Sequence, residues 1–249
     1  MVSCGAGLAV CAFSPLHGAD RAVHVSVAVS LQPVLRQAAE AYRERQAEDV
    51  LLNSGASGVL LQQARRGAPV DLLISASPDE IDQLVREQLA RPETRRRIAS
   101  NRLVVVVPPG ERPPQEARDL AAAEYDRIAM GNPRTAPVGR YGAQVLRGLG
   151  LWDRLEPRLV FAENARQVLE YVARGEVSAG LVYRTDALLL ERRVARGPDI
   201  GGQSHETILY EGVVLRNAGR AQAAEELLRW LVSDDGRLAL ERHGFLPPP

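Results

Sequence analysis

The sequence predicts an α/β fold, with mostly parallel sheets covered by helices. Three observations predict it. Strand-like and helix-like segments alternate along almost the whole chain, the order that βαβ units impose. Several strand-like segments are short apolar runs such as LVVVV at 103–107, as expected of buried strands. Five segments pass from a strand or turn directly into the start of a helix, at Ser30, Ser57, Val138, Ala165 and Tyr183.

The elements follow in order. Val23–Val29 reads as a buried strand. A helix comes next, with Leu31, Val34, Leu35, Ala38, Ala39 and Tyr42 on one face and Ser30 as its N-cap. Pro33 suits its first turn, where the N–H groups have no partner. Asp49–Asn53 is a strand, and Ser57–Arg66 a helix closed by Gly67. Asp71–Ser75 is a strand, followed by a helix over Pro78–Gln88 capped by Ser77. Leu103–Val107 ends at Pro108-Pro109, and Glu111–Glu124 is polar and contains prolines. Arg127–Gly131 is a strand leading through the Asn132–Val138 loop to a helix over Gly139–Leu149. After a strand at Arg158–Phe161, Ala165, Val168, Leu169 and Val172 fall at helical spacing. Ala179–Tyr183 is a strand, Thr185–Glu191 a short helix and Thr207–Leu215 a long strand. Two helices, Ala221–Val232 and Asp234–His243, close the chain. The Pro-Pro break and the Thr207–Leu215 strand are the expected crossings if the chain forms two lobes.

Composition narrows the function. The 249 residues suffice for one large domain or two lobes of roughly 100 residues each. Hydrophobic residues make up 45% and charged residues 25%, an ordinary globular balance. Basic and acidic residues balance at 31 each, so no global field gathers nucleic acid or anionic lipid. The basic stretch RPETRRR at Arg91–Arg97 reads as a solvated helix face or loop. The only cysteines, Cys4 and Cys11, lie near the N-terminus, which excludes a disulfide framework or thiolate metal site in the folded part. His17, His24, His205 and His243 are scattered, without metal-ligand spacing. Val2–Phe13 is small and apolar, like a secretory leader that lacks its positive start. Leu8-Ala9-Val10-Cys11 loosely matches a lipoprotein box, although Val10 is bulky. No later stretch approaches the roughly 18–20 apolar residues of a membrane span.

The five junctions predict a ligand class. A helix start exposes unpaired N–H groups and the positive end of the peptide dipole. Several aimed at one point hold an anion without lysine or arginine. At about +0.5 charge each at most, four helix starts offset roughly two negative charges. A tetrahedral dianion only accepts hydrogen bonds, so its site needs donors and no carboxylate. Ser30 and Ser57 offer hydroxyl and N–H donors, Val138 and Ala165 their backbone N–H, and Tyr183 its phenol. None of the five is acidic, although Glu163 and Asp186 stand near two of them. Phosphate keeps a proton near neutral pH and would want an acceptor. The expected ligand is therefore a fully ionised oxyanion: molybdate, tungstate or sulfate.

The segments AVSL, SGVLLQQ, GAPVDLLISA, NRLVVVVP, GNPRTAPVGRYGAQVL, AENARQVL and GLVYRTDA, in this order between Val23 and Phe245, carry a resemblance. The chain resembles the periplasmic molybdate-binding proteins of ABC importers. The resemblance implies a two-lobed periplasmic-binding-protein fold of type II, each lobe a mostly parallel sheet flanked by helices. Residues 23–104 plus 209–249 would form lobe I and 105–208 lobe II, after a leader over 1–22. It implies oxyanion contacts at Ser30, Ser57, Val138, Ala165 and Tyr183. Any molybdenum would be held as its oxyanion, with no side-chain metal ligand and no cofactor. The chain departs from the family pattern at AVSL, where AASL is usual, at Val138 and Ala165, and at Asn132, which replaces an aspartate. The implied partner is a membrane permease of an ABC importer, with no nucleic acid, for a monomeric protein outside the cytoplasm or on the cell surface. Alternatives are a sulfate-type or tungstate-selective binding protein and an oxyanion-sensing domain. A serine hydrolase is more remote, because no GxSxG elbow is present and no histidine neighbours Ser30 or Ser57.

Overall fold

The computed structural model describes residues 22–46, 49–201 and 204–249. The expected leader, with Cys4, Cys11 and His17, lies outside the described residues. In chain order the strands are β1 (Val23–Ala28), β2 (Val50–Gly55), β3 (Leu72–Ser75), β4 (Arg96–Ser100), β5 (Leu103–Val107), β6 (Ile128–Gly131), β7 (Leu159–Ala162), β8 (Ala179–Tyr183), β9 (Ala195–Ile200) and β10 (Leu209–Val214). The helices are α1 (Gln32–Gln46), α2 (Ser57–Arg65), α3 (Pro78–Arg86), α4 (Pro137–Gly148), α5 (Trp152–Leu155), α6 (Ala165–Ala173), α7 (Arg184–Leu189), α8 (Ala221–Leu231) and α9 (Asp234–Arg242).

Two five-stranded sheets result, ordered β2-β1-β3-β10-β4 and β7-β6-β8-β5-β9. The first three strands of each are mutually parallel, and the last two run antiparallel to their neighbours. Each sheet is covered on both faces, which is why its strands read as apolar runs. In β5, Leu103, Val105 and Val107 join the large core cluster, while Val104 and Val106 face the α6 side with Val168, Leu169 and Val172. In the first sheet, Leu72 and Ile74 face one cluster, and Leu73 packs with Leu60, Ile81 and Leu84.

The two sheets form two lobes, as expected, but the first crossing is not at the Pro-Pro break. It runs through Asn101 and Arg102, at the other end of β5. Leu103 already pairs with Tyr183 and Ile200, so β5 belongs wholly to the second sheet and the boundary expected after residue 104 falls too late. The second sheet's last strand ends at Ile200, and the chain is back in the first sheet at Leu209, where β10 begins. The C-terminal tail is tied to the first crossing: Ser100 and Leu246 exchange backbone hydrogen bonds of 2.7 and 3.0 Å.

Two strands were not expected, β4 and β9. Both lie at sheet edges, where arginines and Pro198 are tolerated because one side of the strand needs no partner. The basic stretch is correspondingly not all solvated. Arg96 and Arg97 open β4, while Arg95 donates to the buried Glu211 at 2.7 Å and to Asp82 at 2.6 Å. Ser30 does not cap α1 as expected. It lies inside a 3-10 turn, Val29–Leu31, with no capping bond, and its hydroxyl turns instead to a buried phenol.

Candidate functional site

The parallel halves of the two sheets create six strand-to-helix junctions, three per lobe. Ser30 follows β1, Ser57 opens α2 after β2, and Val138 is the second residue of α4 beyond β6. Ala165 opens α6 after β7, and Tyr183 ends β8. All five are buried. The sixth junction, between β3 and α3, carries Ser75, Ser77 and Glu80.

Hydrogen-bond accounting identifies the uncommitted donors, since no first-turn N–H has a partner within its own helix. At α2, Val59 and Leu60 N–H go to the Ala56 carbonyl and Gly58 N–H to Thr135 O, which leaves Ser57 N–H. At α4, Pro137 has no N–H, and Gly139 and Arg140 donate to the Ala136 carbonyl, which leaves Val138. At α6, Asn164 takes Gln167 N–H on its side chain and Val168 N–H on its carbonyl, which leaves Ala165 and Arg166. Ser57 Oγ accepts Ala76 N–H at 3.1 Å, so its own hydrogen is available to donate. The Tyr183 phenol is buried with no partner among the described residues, and burial pushes its pKa well up, which keeps it a neutral donor.

The structure links these groups in pairs. Ser30 Oγ lies 2.8 Å from the Tyr210 hydroxyl, and the Tyr210 ring packs edge-on against Tyr183 with centroids 6.0 Å apart. Ser57 and Val138 are joined through the Gly58–Thr135 hydrogen bond of 3.1 Å, which runs directly from one lobe to the other. Helix α6, which Ala165 opens, packs against the Val29–Leu31 turn. Leu31, Ala56, Val138, Ala165 and Tyr183 share one apolar cluster, so the donors sit in a dry surround.

Sequence reasoning missed four residues that shape this region. Arg140 of α4 reaches across to the first lobe, donating to Glu80 at 2.7 Å and standing 3.5 Å from Asp79. Burial alone would lower the Arg140 pKa, but the Glu80 carboxylate outweighs it and holds the guanidinium charged. Glu80, itself buried, also accepts from Ser75 Oγ at 2.9 Å. The carboxylate of the sixth junction is thus neutralised by the opposite lobe. Tyr210 and Asn101 bind one another behind Ser30. The only hints in sequence were acidic residues in a helix first turn and polar residues inside apolar strands. The acidic neighbours noted from sequence separate: Glu163 is exposed, while Asp186 is enclosed with both oxygens unpartnered. Burial pushes the Asp186 carboxyl up to about 7 against the opposing pull of Arg166. Among the described residues no cluster of three or more His, Cys, Asp or Glu could hold a metal ion.

Comparison with known proteins agrees with this architecture. The model of bacterial extracellular solute-binding proteins matches residues 23–246. The chain is 33% identical over 223 residues to a putative ABC transporter substrate-binding lipoprotein of Bacillus subtilis, covering 89% of this chain and 85% of that protein. It is 30% identical over 230 residues to the molybdate-binding protein ModA of Escherichia coli, with 90% and 88% covered. The periplasmic molybdate-binding protein of Azotobacter vinelandii superposes with a TM-score of 0.84 at 26% identity, covering 91% of this chain and 100% of that one. These relatives bind solutes and are not enzymes, which removes the serine-hydrolase alternative. The chain belongs to the family of bacterial extracellular solute-binding proteins.

Proposed function

We propose that this protein captures molybdate or tungstate between its lobes and delivers it to the membrane permease of an ABC importer. The observation that carries the reading is the set of uncommitted donors: Ser57, Val138 and Ala165 N–H, the Ser57 hydroxyl and the orphaned Tyr183 phenol. Ser30 completes the set. None of these groups is a carboxylate, so a protonated anion finds no charged acceptor among them. The Escherichia coli and Azotobacter vinelandii relatives are molybdate-binding proteins, which supports the same ligand.

Binding needs no covalent chemistry and no cofactor. The open lobes admit the dianion, donors from both sides engage it, and a hinge motion about the two crossings excludes water. Low dielectric then strengthens each hydrogen bond. The protein acts as a monomer outside the cytoplasm. Its B. subtilis relative is named a lipoprotein, and lipidation at Cys11 would tether this chain near its permease.

Thermal melting tests the proposal. A ligand that binds only the folded chain adds about 2.7 kcal/mol of stability at 100 times its Kd. Molybdate or tungstate is expected to raise the melting temperature accordingly. An unchanged melting temperature at millimolar concentrations of both removes the proposal.

A further inference from the structure

Asn101 lies in the first crossing between the lobes and is almost fully enclosed. Its amide has only one workable sense. Oδ1 accepts the Arg102 N–H at 2.9 Å, so the Nδ2 hydrogens face Thr185 Oγ1 at 3.0 Å and the Tyr210 oxygen at 3.2 Å. A phenol has a single hydrogen. Asn101 donates into the Tyr210 oxygen; were Ser30 to donate there as well, the phenol hydrogen would be left unused, so the pairing that spends every hydrogen has Tyr210 donating to Ser30 Oγ, 2.8 Å away. Ser30, already an acceptor, is left with its own hydrogen as the end of the chain.

The Tyr210 ring cannot easily turn away from this task. It is wholly buried, packed edge-on between Tyr183 and Phe245 at centroid distances of 6.0 and 5.2 Å. It also stands at a register shift in β10, between Tyr210 and Glu211, the kind of irregularity that re-aims a side chain. Burial and the Asp186 carboxylate both raise its pKa, so its hydrogen is retained.

We propose that Asn101 and Tyr210 are positioning residues that lock Ser30 as a hydrogen-bond donor and so select for oxyanions that carry no proton. The inference rests on the oxyanion reading of the site and deepens it. A freely rotating serine hydroxyl accepts from a protonated anion as readily as it donates to a bare one. A serine at the end of this relay has one of its two lone pairs already filled and its hydrogen unspent, so it is poised to donate to the anion rather than to accept from it. Ser57 is locked in the same sense by the Ala76 N–H. One serine is therefore fixed by backbone and the other by side chains that reach the hinge. Selection in this scheme comes from the direction of the donors, in addition to charge and size.

The test is a double-mutant cycle in the full chain. Molybdate affinity is measured by calorimetry for the unmodified protein, Ser30→Ala, Tyr210→Phe and the double variant, with competition by inorganic phosphate at pH 7. Ser30→Ala is expected to weaken molybdate about tenfold, the loss of one hydrogen bond to a charged group. Tyr210→Phe is expected to weaken it less and to shift the molybdate-to-phosphate preference toward phosphate by about tenfold. The double variant should match Ser30→Ala within about twofold, because Tyr210 acts through Ser30. If the two losses multiply in the double variant, or Tyr210→Phe leaves the preference unchanged, the relay is overturned. Should Tyr210→Phe not melt cooperatively, Asn101→Ser replaces it in the cycle with the same expected and contrary outcomes. Absence of molybdate and tungstate binding by the unmodified protein overturns the oxyanion reading and the relay together, whereas binding with multiplied losses overturns the relay alone.

Discussion

Gly58 offers a way to separate folding from lobe closure. It is the second residue of α2, and its N–H crosses to Thr135 O in the other lobe at 3.1 Å. A Cβ added there would stand 2.5 Å from the same Thr135 oxygen and 3.1 Å from its carbonyl carbon. Those atoms are backbone, so no flexible side chain can yield. Ordinary contact begins near 3.4 Å, so in Gly58→Ala the lobes back off by about 1 Å, enough to forfeit much of the local dispersion attraction. Overpacking costs about 1–3 kcal/mol and the lost hydrogen bond about 1 kcal/mol. Together they weaken binding by roughly 30- to 700-fold, at 1.4 kcal/mol per tenfold. The open form meets no such clash, and alanine is the better helix former by up to about 1 kcal/mol. Titration calorimetry with molybdate should therefore show a large loss of affinity, while the ligand-free melting temperature holds or rises. An affinity within threefold of the unmodified protein's would refute the idea that binding requires this closed contact.

The remaining predictions address single groups. Arg140→Gln removes the pair that joins α4 to Glu80 across the lobes; calorimetry should show affinity falling by about 2 kcal/mol, roughly 30-fold, with a smaller effect on the ligand-free melting point. Tyr183→Phe removes a buried hydroxyl that has no partner among the described residues. Ligand-free stability should hold or rise slightly while affinity drops about tenfold, a split that a purely structural tyrosine would not give. The Asp186 carboxyl is raised by burial from 3.8 to about 7, so between those values the folded chain holds more protons than the unfolded one. Its contribution is most favourable below about pH 4 and is lost as pH rises through 7. Asp186→Asn should therefore melt higher than the unmodified protein at pH 8, by on the order of 2–4 kcal/mol, with the gap closing as pH approaches 4.

The parts of this fold that were legible in the sequence are those governed by local chemistry. Buried parallel strands announce themselves as apolar runs, and α3 is placed by Ser77, whose hydroxyl accepts Asp79 N–H at 3.3 Å. The edge strands were not legible, because Arg96, Arg97 and Pro198 are what an edge allows and also what a loop contains. The first crossing was misplaced for a related reason. Pro108-Pro109 is the loudest punctuation near β5, yet the chain changes lobes at Asn101–Arg102, where polar groups satisfy one another without a break in pattern.

The candidate site divides in the same way. Its donors were readable because helix starts after strands have a sequence signature, and a backbone N–H survives whatever side chain stands there, as at Val138 and Ala165. The groups that support them were not. Ser30 and Tyr210 are 180 positions apart, Arg140 and Glu80 60 apart, and Asn101 and Tyr210 109 apart. No local pattern encodes such pairings. They follow from which strand lies beside which, and β10 enters the first sheet only after the whole second lobe has been built.

On the oxyanion reading the cleft presents hydrogen-bond donors and no carboxylate to a small anion. The most direct test is calorimetric titration of ligand-stripped protein with molybdate, tungstate, sulfate and phosphate at pH 7. Molybdate or tungstate should bind tightly and phosphate poorly; phosphate binding as tightly as either overturns the donor-only reading.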